Sequence, residues 1–265
     1  MLRRLGVEAP AAGLEGVRQV FGAWCAQVPF DNVRKMIWLR RKPDEALPGS
    51  DAEHFYAGFL ESGTGGTCWS TANALFELLG GLGFQVARIT GSMRDMGFVN
   101  HGSVRVAVNG AHWLVDPSIL NGVPVEFADR PVRQDHPVFG IEMEPDNGTH
   151  VARMQTPPWE EPLPCRFGPE VVDRDYFQAK YEASRQMSPF NQRLYARRNR
   201  GDAMVVLFGN TRYVKTAEGV TRESLTADGL CEALHRDMGM SERLVREWVD
   251  SGSLVDSMEP MEGRA

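Results

Sequence analysis

The sequence predicts an α+β protein on three observations. Apolar residues recur at helical spacing up to about residue 82, an alternating pattern replaces it from Gln85 onward, and an Asn-Gly pair links two of the alternating runs. Helical patterning returns only near the C-terminus, after Leu225.

The elements follow in order. Leu14, Val17, Val20, Phe21 and Trp24 give a helix from Gly13, ended by Val28-Pro29. A second short helix, Val33 to Leu39, runs into Arg40-Arg41-Lys42 and the breaker Pro43. Asp51 to Leu60 reads as a third, with Asp51 and Glu53 suited to its positive end. After the glycine cluster Gly63-Thr64-Gly65-Gly66, Ala72, Leu75, Phe76, Leu78 and Leu79 supply the buried side of a helix stopped by Gly80-Gly81. Gln85 to Thr90, Val104 to Val108 and Trp113 to Val115 read as strands. Residues 121 to 169, rich in prolines and charges, read as irregular. Met204 to Phe208 and Arg212 to Lys215 form a hairpin through Gly209-Asn210, and Leu225 to Met238 and Ser241 to Asp250 are closing helices, with Ser241 as an N-cap.

With 42 % hydrophobic and 24 % charged residues the chain can bury a core, which excludes disorder. A net charge of −6 argues against a nucleic-acid partner. The N-terminal MLRRLGVEAP lacks the apolar stretch of a secretory signal, and no uncharged apolar run is long enough for a bilayer. The four cysteines, Cys25, Cys68, Cys165 and Cys231, show neither a CxxC pair nor a disulfide framework, and the histidines show no metal-ligand spacing. The expectation is a cytoplasmic protein with reduced thiols, no metal and no membrane partner.

Cys68 directly follows the glycine-rich turn, at the first turn of a helix. Backbone N–H groups and the helix dipole favour a thiolate there, and the glycines could offer N–H donors to an oxyanion. Asn109-Gly110 between two β-type runs is a strong hairpin signal. With these as the turn, Val108 faces Ala111, Val106 faces Trp113, Val104 faces Val115 and Ser103 faces Asp116. One face is then apolar. The other carries His101, Ser103, Arg105, His112, Leu114 and Asp116, with His101 and Asp116 diagonal neighbours within reach of each other. A carboxylate beside an imidazole fixes its tautomer and stabilises its protonated form. Cys, His and Asp in that order, on helix, strand and next strand, form a candidate catalytic triad in a papain- or transglutaminase-like core.

Gly65-Gly66-Thr67-Cys68 followed by a helix and Leu82-Gly83-Phe84 resembles the nucleophile segment of the arylamine N-acetyltransferase family. Val28-Pro29-Phe30-Asp31-Asn32 resembles that family's Pro-Phe-acidic-Asn motif, Trp113-Leu114-Val115-Asp116 its Trp-Leu-Val-Asp strand, and Ser188-Pro189-Phe190 its Ser-Pro-Phe segment. The resemblance implies a helical N-terminal domain with the nucleophile (1–82), a central antiparallel β-barrel with the histidine and aspartate (83–185) and a C-terminal α/β lid (186–265). It implies ping-pong transfer of an acetyl group from acetyl-CoA, a co-substrate rather than a resident cofactor, through Cys68 to an arylamine or hydrazine. Thr64 stands where the family usually has Arg, Ser70 where an acidic or amide residue is common, and Pro117-Ser118-Ile119-Leu120 where Val-Gly-Phe-Gly is usual. Phe30, Thr67, Ile119 and Leu120 are the candidate substrate-binding residues. An amide synthase fed by an acyl carrier protein is the alternative that these replacements favour, and a transglutaminase-like hydrolase is a further one. The run Arg193, Arg197, Arg198, Arg200 reads as a solvated basic face, with coenzyme A phosphates or an acidic carrier as its other possible partners.

Overall fold

The computed structural model describes residues 1–259. Residues 260–265, the end of the expected lid, lie outside them. Five helices and one short strand come first: α1 (Leu2–Leu5), α2 (Gly13–Gln27), β1 (Phe30–Asp31), α3 (Val33–Arg41), α4 (Ala52–Ser62) and α5 (Cys68–Gly81). Asp51 caps α4 by accepting the His54 N–H at 2.7 Å. Gly80 and Gly81 do not stop α5. The helix includes both and is capped by Leu82, with Gly83 taking the left-handed conformation at φ 86°.

Eight strands follow: β2 (Gln85–Met93), β3 (His101–Val108), β4 (Ala111–Val115), β5 (Val125–Glu126), β6 (Val132–Gln134), β7 (Ile141–Asp146), β8 (Thr149–Met154) and β9 (Leu163–Val172). They form one antiparallel sheet in the order β5-β4-β3-β2-β9-β8-β7-β6, whose end strands approach each other to make a nearly closed barrel. The region read as irregular, 121–169, therefore supplies most of the second half of that barrel. Its charges lie on alternate positions: Ile141 and Met143 are buried, whereas Glu142 and Glu144, each next to one of them, are not, and Arg153 pairs with Glu144 across the strands. Short strands with charged outer faces conceal the apolar alternation.

The β3–β4 register is the predicted one, with Val108 opposite Ala111, Val106 opposite Trp113 and Val104 opposite Val115. Asn109 (φ 53°) and Gly110 (φ 80°) both adopt the positive φ that a two-residue turn of this kind requires. Val104, Val106 and Val115 pack into the core formed with α2, α4 and α5, while Leu114 on the opposite face joins Ile89, Met143 and Phe167 inside the barrel. Both faces of the hairpin are thus buried near its open end, and the polar residues there are not at the surface.

The remaining elements are α6 (Arg174–Ala183), β10 (Tyr195–Arg200), β11 (Ala203–Phe208), β12 (Thr211–Thr216), β13 (Gly219–Ser224), α7 (Ala227–Arg236), α8 (Glu242–Asp250) and α9 (Ser253–Met258). The second sheet has the order β1-β10-β11-β12-β13, so the N-terminal Phe30-Asp31 pairs with a strand far along the chain. Val33, Met36 and Ile37 of α3 share a core with Leu194, Val205, Leu230, Leu234 and Trp248. Ser241 caps α8 as its position predicts, accepting the Leu244 N–H at 3.3 Å.

The basic run is not one solvated face: Arg200 is exposed, but Arg193 and Arg198 are half-buried and Arg197 is buried. Arg197, 2 % exposed, donates to the Ser118 carbonyl and to Thr156 Oγ1, and Arg198 donates to the Met238 carbonyl at 2.9 Å.

Candidate active site

The glycine turn before Cys68 is shaped by what it touches. A Cβ on Gly65 would lie 1.8 Å from the Pro29 carbonyl oxygen, and one on Gly66 would lie 2.2 Å from Ser70 Oγ. Only glycine lets β1 and the start of α5 come so close. The Gly65 N–H, an expected oxyanion donor, is already used: it donates to Asp31 Oδ2 at 2.6 Å. Asp31 also accepts from the Thr64 hydroxyl (3.0 Å) and the Val33 N–H (3.0 Å). Its carboxyl is pushed up to about 6 by burial, against the pull of these donors. Thr64, standing where a cation is usual, thus meets the acidic residue with a hydroxyl.

Cys68 is the first residue of α5 and 7 % exposed, with Thr67 in the N-cap position. The Thr67 carbonyl accepts from both Ser70 Oγ and Thr71 Oγ1, while its own hydroxyl finds no partner. The N–H groups of this first turn have no acceptor within the helix.

His101 opens β3 and Asp116 follows β4. Nε2 of His101 lies 2.7 Å from Asp116 Oδ2, with the two residues 3 % and 1 % exposed. Oδ1 of Asp116 accepts the N–H groups of Ser118 (2.8 Å) and Ile119 (3.0 Å), which fixes the carboxylate plane. With Nε2 engaged, Nδ1 is the ring nitrogen left for the Cys68 sulfur, which interacts with the imidazole. Burial alone would drive His101 toward neutrality. The Asp116 carboxylate, with help from Cys68, outweighs burial and keeps the ring protonated up to about 10. Asp116 is held below the ordinary carboxylate range: burial would raise it, and the imidazole and the Ser118 N–H more than reverse that. Cys68, His101 and Asp116 are therefore brought together, enclosed and charge-coupled.

Three residues, Gly102, Arg197 and Asn199, set this geometry in ways that sequence reasoning missed. Gly102, beside His101, leaves room for Trp69 and Phe177, whose rings meet edge-on at 4.8 Å. A Cβ there would come within 2.5 Å of both. A glycine inside a strand pattern is the signal that could have marked it. From the second sheet, Arg197 holds the Ser118 carbonyl and Asn199 Nδ2 holds the Leu120 carbonyl at 2.7 Å, so β10 clamps the turn that carries Asp116.

Of the candidate substrate residues, Phe30 (5 % exposed) lies edge-on to Phe190 at 5.3 Å and to Tyr195 at 5.8 Å. Ile119 packs inside the barrel, and Leu120, fully buried with φ 53°, packs in the main core. A groove of about 670 Å³ is lined by Asp51, Tyr56, Asn73, Glu77 and Arg174 and does not include Cys68. Among the described residues no cluster of three His, Cys, Asp or Glu could hold a metal ion, and no helix is long and apolar enough to cross a membrane.

A thiol at a helix N-terminus, set against a barrel that bears an imidazole–carboxylate pair, is the arrangement of the papain- and transglutaminase-like cores. Within that class the chain belongs to the N-acetyltransferase family, whose model matches residues 13–244. The fold is that of solved arylamine N-acetyltransferases. The Mycobacterium smegmatis enzyme is 19 % identical at a TM-score of 0.81, covering 99 % of this chain and 97 % of that one. The Mycobacterium marinum enzyme, solved in complex with CoA, is 17 % identical at 0.82, covering 97 % and 96 %. The Salmonella typhimurium enzyme is 16 % identical at 0.78, covering 94 % and 96 %. No curated protein sequence matches the chain. The chain is an enzyme of the acyltransferase kind, as its family is.

Proposed function

We propose that this protein moves an acetyl group from acetyl-CoA to an arylamine-type amine through a thioester on Cys68, with His101 as base and Asp116 as its orienter. The observation that carries the reading is the enclosed His101–Asp116 pair, 2.7 Å apart, beside a cysteine at a helix N-terminus. The thiol proton rests on the His101 imidazole beside Asp116, and the Cys68 sulfur, as thiolate, attacks the thioester carbonyl. The bond to the coenzyme A sulfur breaks, and His101 returns the proton to that leaving group. The amine then attacks the Cys68 thioester and gives its proton to His101, which passes it to the departing Cys68 sulfur. Nothing is left over: one thiol, one amide and the free enzyme. Phe30 and Thr67 are the residues we assign to the wall of the acyl and acceptor site, with Ile119 and Leu120 shaping the Asp116 turn from behind. Membership of the family and the complex of the M. marinum enzyme with CoA support acetyl-CoA as the donor.

Intact-protein mass spectrometry after brief incubation with acetyl-CoA tests this. The expected result is an acetyl adduct on the wild type, none on Cys68→Ser, and its discharge by an arylamine or hydrazine. No adduct, with Cys68 still readily alkylated, would overturn acetyl-CoA as the donor and point to a longer or carrier-bound acyl group.

A further inference from the structure

Lys35, Arg88 and Arg197 are buried cations. Arg88 meets the Glu77 carboxylate at 2.6 Å, and Lys35 Nζ donates to Ser184 Oγ at 2.8 Å, at the negative end of α6. The bonds of Arg197, on β10, go to neutral groups. Its Nη1 donates to Thr156 Oγ1 at 3.2 Å, its Nη2 donates to the Ser118 carbonyl, and its Nε has no partner among the described residues. A guanidinium buried in this way is costly unless a negative charge lies close by. The Ser118 carbonyl supplies the route to one. It belongs to the same peptide group as the Ile119 N–H, which donates to Asp116 Oδ1 at 3.0 Å. That peptide is trans, so its C=O and N–H point in opposite directions. Arg197 and Asp116 therefore stand on opposite sides of one amide, each bonded to the end that suits its charge. The guanidinium polarises the carbonyl, which makes the N–H a stronger donor to the carboxylate.

We propose that Arg197 is a positioning residue and the counter-ion of the triad, keeping Asp116 charged through the Ser118–Ile119 peptide. The proposal rests on Cys68, His101 and Asp116 being that triad. With the proton on His101, the thiolate, the imidazolium and the carboxylate together hold one negative charge in excess, and all three residues are buried. Arg197 brings the enclosed set to neutrality. The other groups nearby do not. Tyr195 on β10 and Cys25 on α2 face Arg197, and Lys215 on β12 adds only a like charge. His101 on β3 and Cys165 on β9 face Asp116. Burial keeps both thiols protonated, that of Cys25 being pushed up to about 12. Burial also lowers the Arg197 guanidinium, and Asp116 is the carboxylate that opposes the fall. Bracing this turn does not itself call for a charge: Asn199 holds the Leu120 carbonyl at 2.7 Å with a neutral amide.

Two titrations in Arg197→Met separate a counter-ion from a brace. One is the pH dependence of Cys68 alkylation by iodoacetamide, the other the His101 ring titration followed by NMR. A site stripped of a positive charge holds every proton more tightly. Both midpoints should therefore move up by about one unit, the lower end of what a nearby charge produces. Arg197→Lys, which keeps the charge, should lie close to the wild type. Arg197→Gln, which keeps only a hydrogen-bond donor, should follow Arg197→Met. Loss of a mere brace would act otherwise: a loosened Asp116 releases its hold on the imidazolium, and the His101 midpoint falls. A His101 midpoint that falls or stays where it was in Arg197→Met overturns the proposal. Should Arg197→Met not fold, the double variant with Asp116→Asn should, because the charge to be balanced has gone. A double variant equally unfolded overturns the proposal. An acetyl adduct on the wild type with both midpoints unmoved in Arg197→Met would sink this inference alone. A wild-type Cys68 that reacts no faster than the partly exposed Cys231 would sink the triad reading and this inference with it.

Discussion

A buried histidine normally loses its proton, because the interior penalises the charged form. His101 keeps it because the Asp116 carboxylate lies 2.7 Å from its ring, and because Asp116 has its other oxygen pinned by two backbone N–H groups. The pair then has a definite influence on stability. Folded His101 holds its proton up to about 10, against 6.5 for a free imidazole, so its contribution is complete below about 6.5 and drains away as pH rises toward 10. Asp116 works at the other end, contributing fully above 3.8 and losing that contribution as pH falls through its lowered folded value. Asp116→Asn should therefore flatten the loss of stability between pH 7 and 10, measured as urea midpoints beside the wild type. The same substitution should slow Cys68 alkylation at neutral pH by roughly 10²–10⁴-fold, the range that loss of such an orienting carboxylate costs. Alkylation at the wild-type rate would refute the role of Asp116.

Among the elements, the meeting of α5 and β3 decides whether the sulfur and the imidazole face each other. Gly102 is the narrowest point of that contact. In Gly102→Ala the added methyl must push Trp69 or Phe177 aside, which should cost about 1–3 kcal/mol and lower acyl transfer more than the loss of folded protein accounts for. Calorimetry and turnover on the same sample would separate the two effects, and an unchanged turnover would contradict the contact's role. Much of this pairing was legible in the sequence. Asn109-Gly110 gave the hairpin register, and the register alone put His101 and Asp116 on one face. What could not be read was which face is buried, since Leu114 is the only large apolar residue among those on the polar side. The strands β5 to β9 were also hidden, because a barrel wall that faces solvent carries its charges at alternate positions and its apolar residues singly. Lys35 and Arg197 were unreadable for a plainer reason: no local pattern marks a cation as buried.

Across the whole molecule, the second sheet acts on the first through a few polar contacts. Asn199 and Arg197 of β10 hold the Leu120 and Ser118 carbonyls, so the turn after Asp116 is fixed by residues some 80 positions later in the chain, 79 for each of these pairs. Asn199→Ala removes the donor from the Leu120 carbonyl and should cost about 1 kcal/mol, a drop of roughly 2–4 °C in thermal midpoint for a chain of this size. A midpoint equal to that of the wild type would show the clamp to be idle. This dependence of one sheet on the other explains why the replacements around the site leave its frame intact. Thr64 and the Pro117–Leu120 segment each find hydrogen-bond or packing partners within the shared frame.

The pairing of Phe30-Asp31 with Arg197 and Ala196 has a consequence in time. During synthesis, the ribosome releases the nucleophile's helix and its glycine turn long before the strand that completes the sheet beside them. Until β10 emerges, Asp31 has its hydrogen-bond donors but Phe30 lacks its neighbour Tyr195, and α3 lacks the core partners that follow β10. The sheet that holds the segment before Cys68 is therefore completed only by a strand made more than a hundred residues after the helix that carries the cysteine.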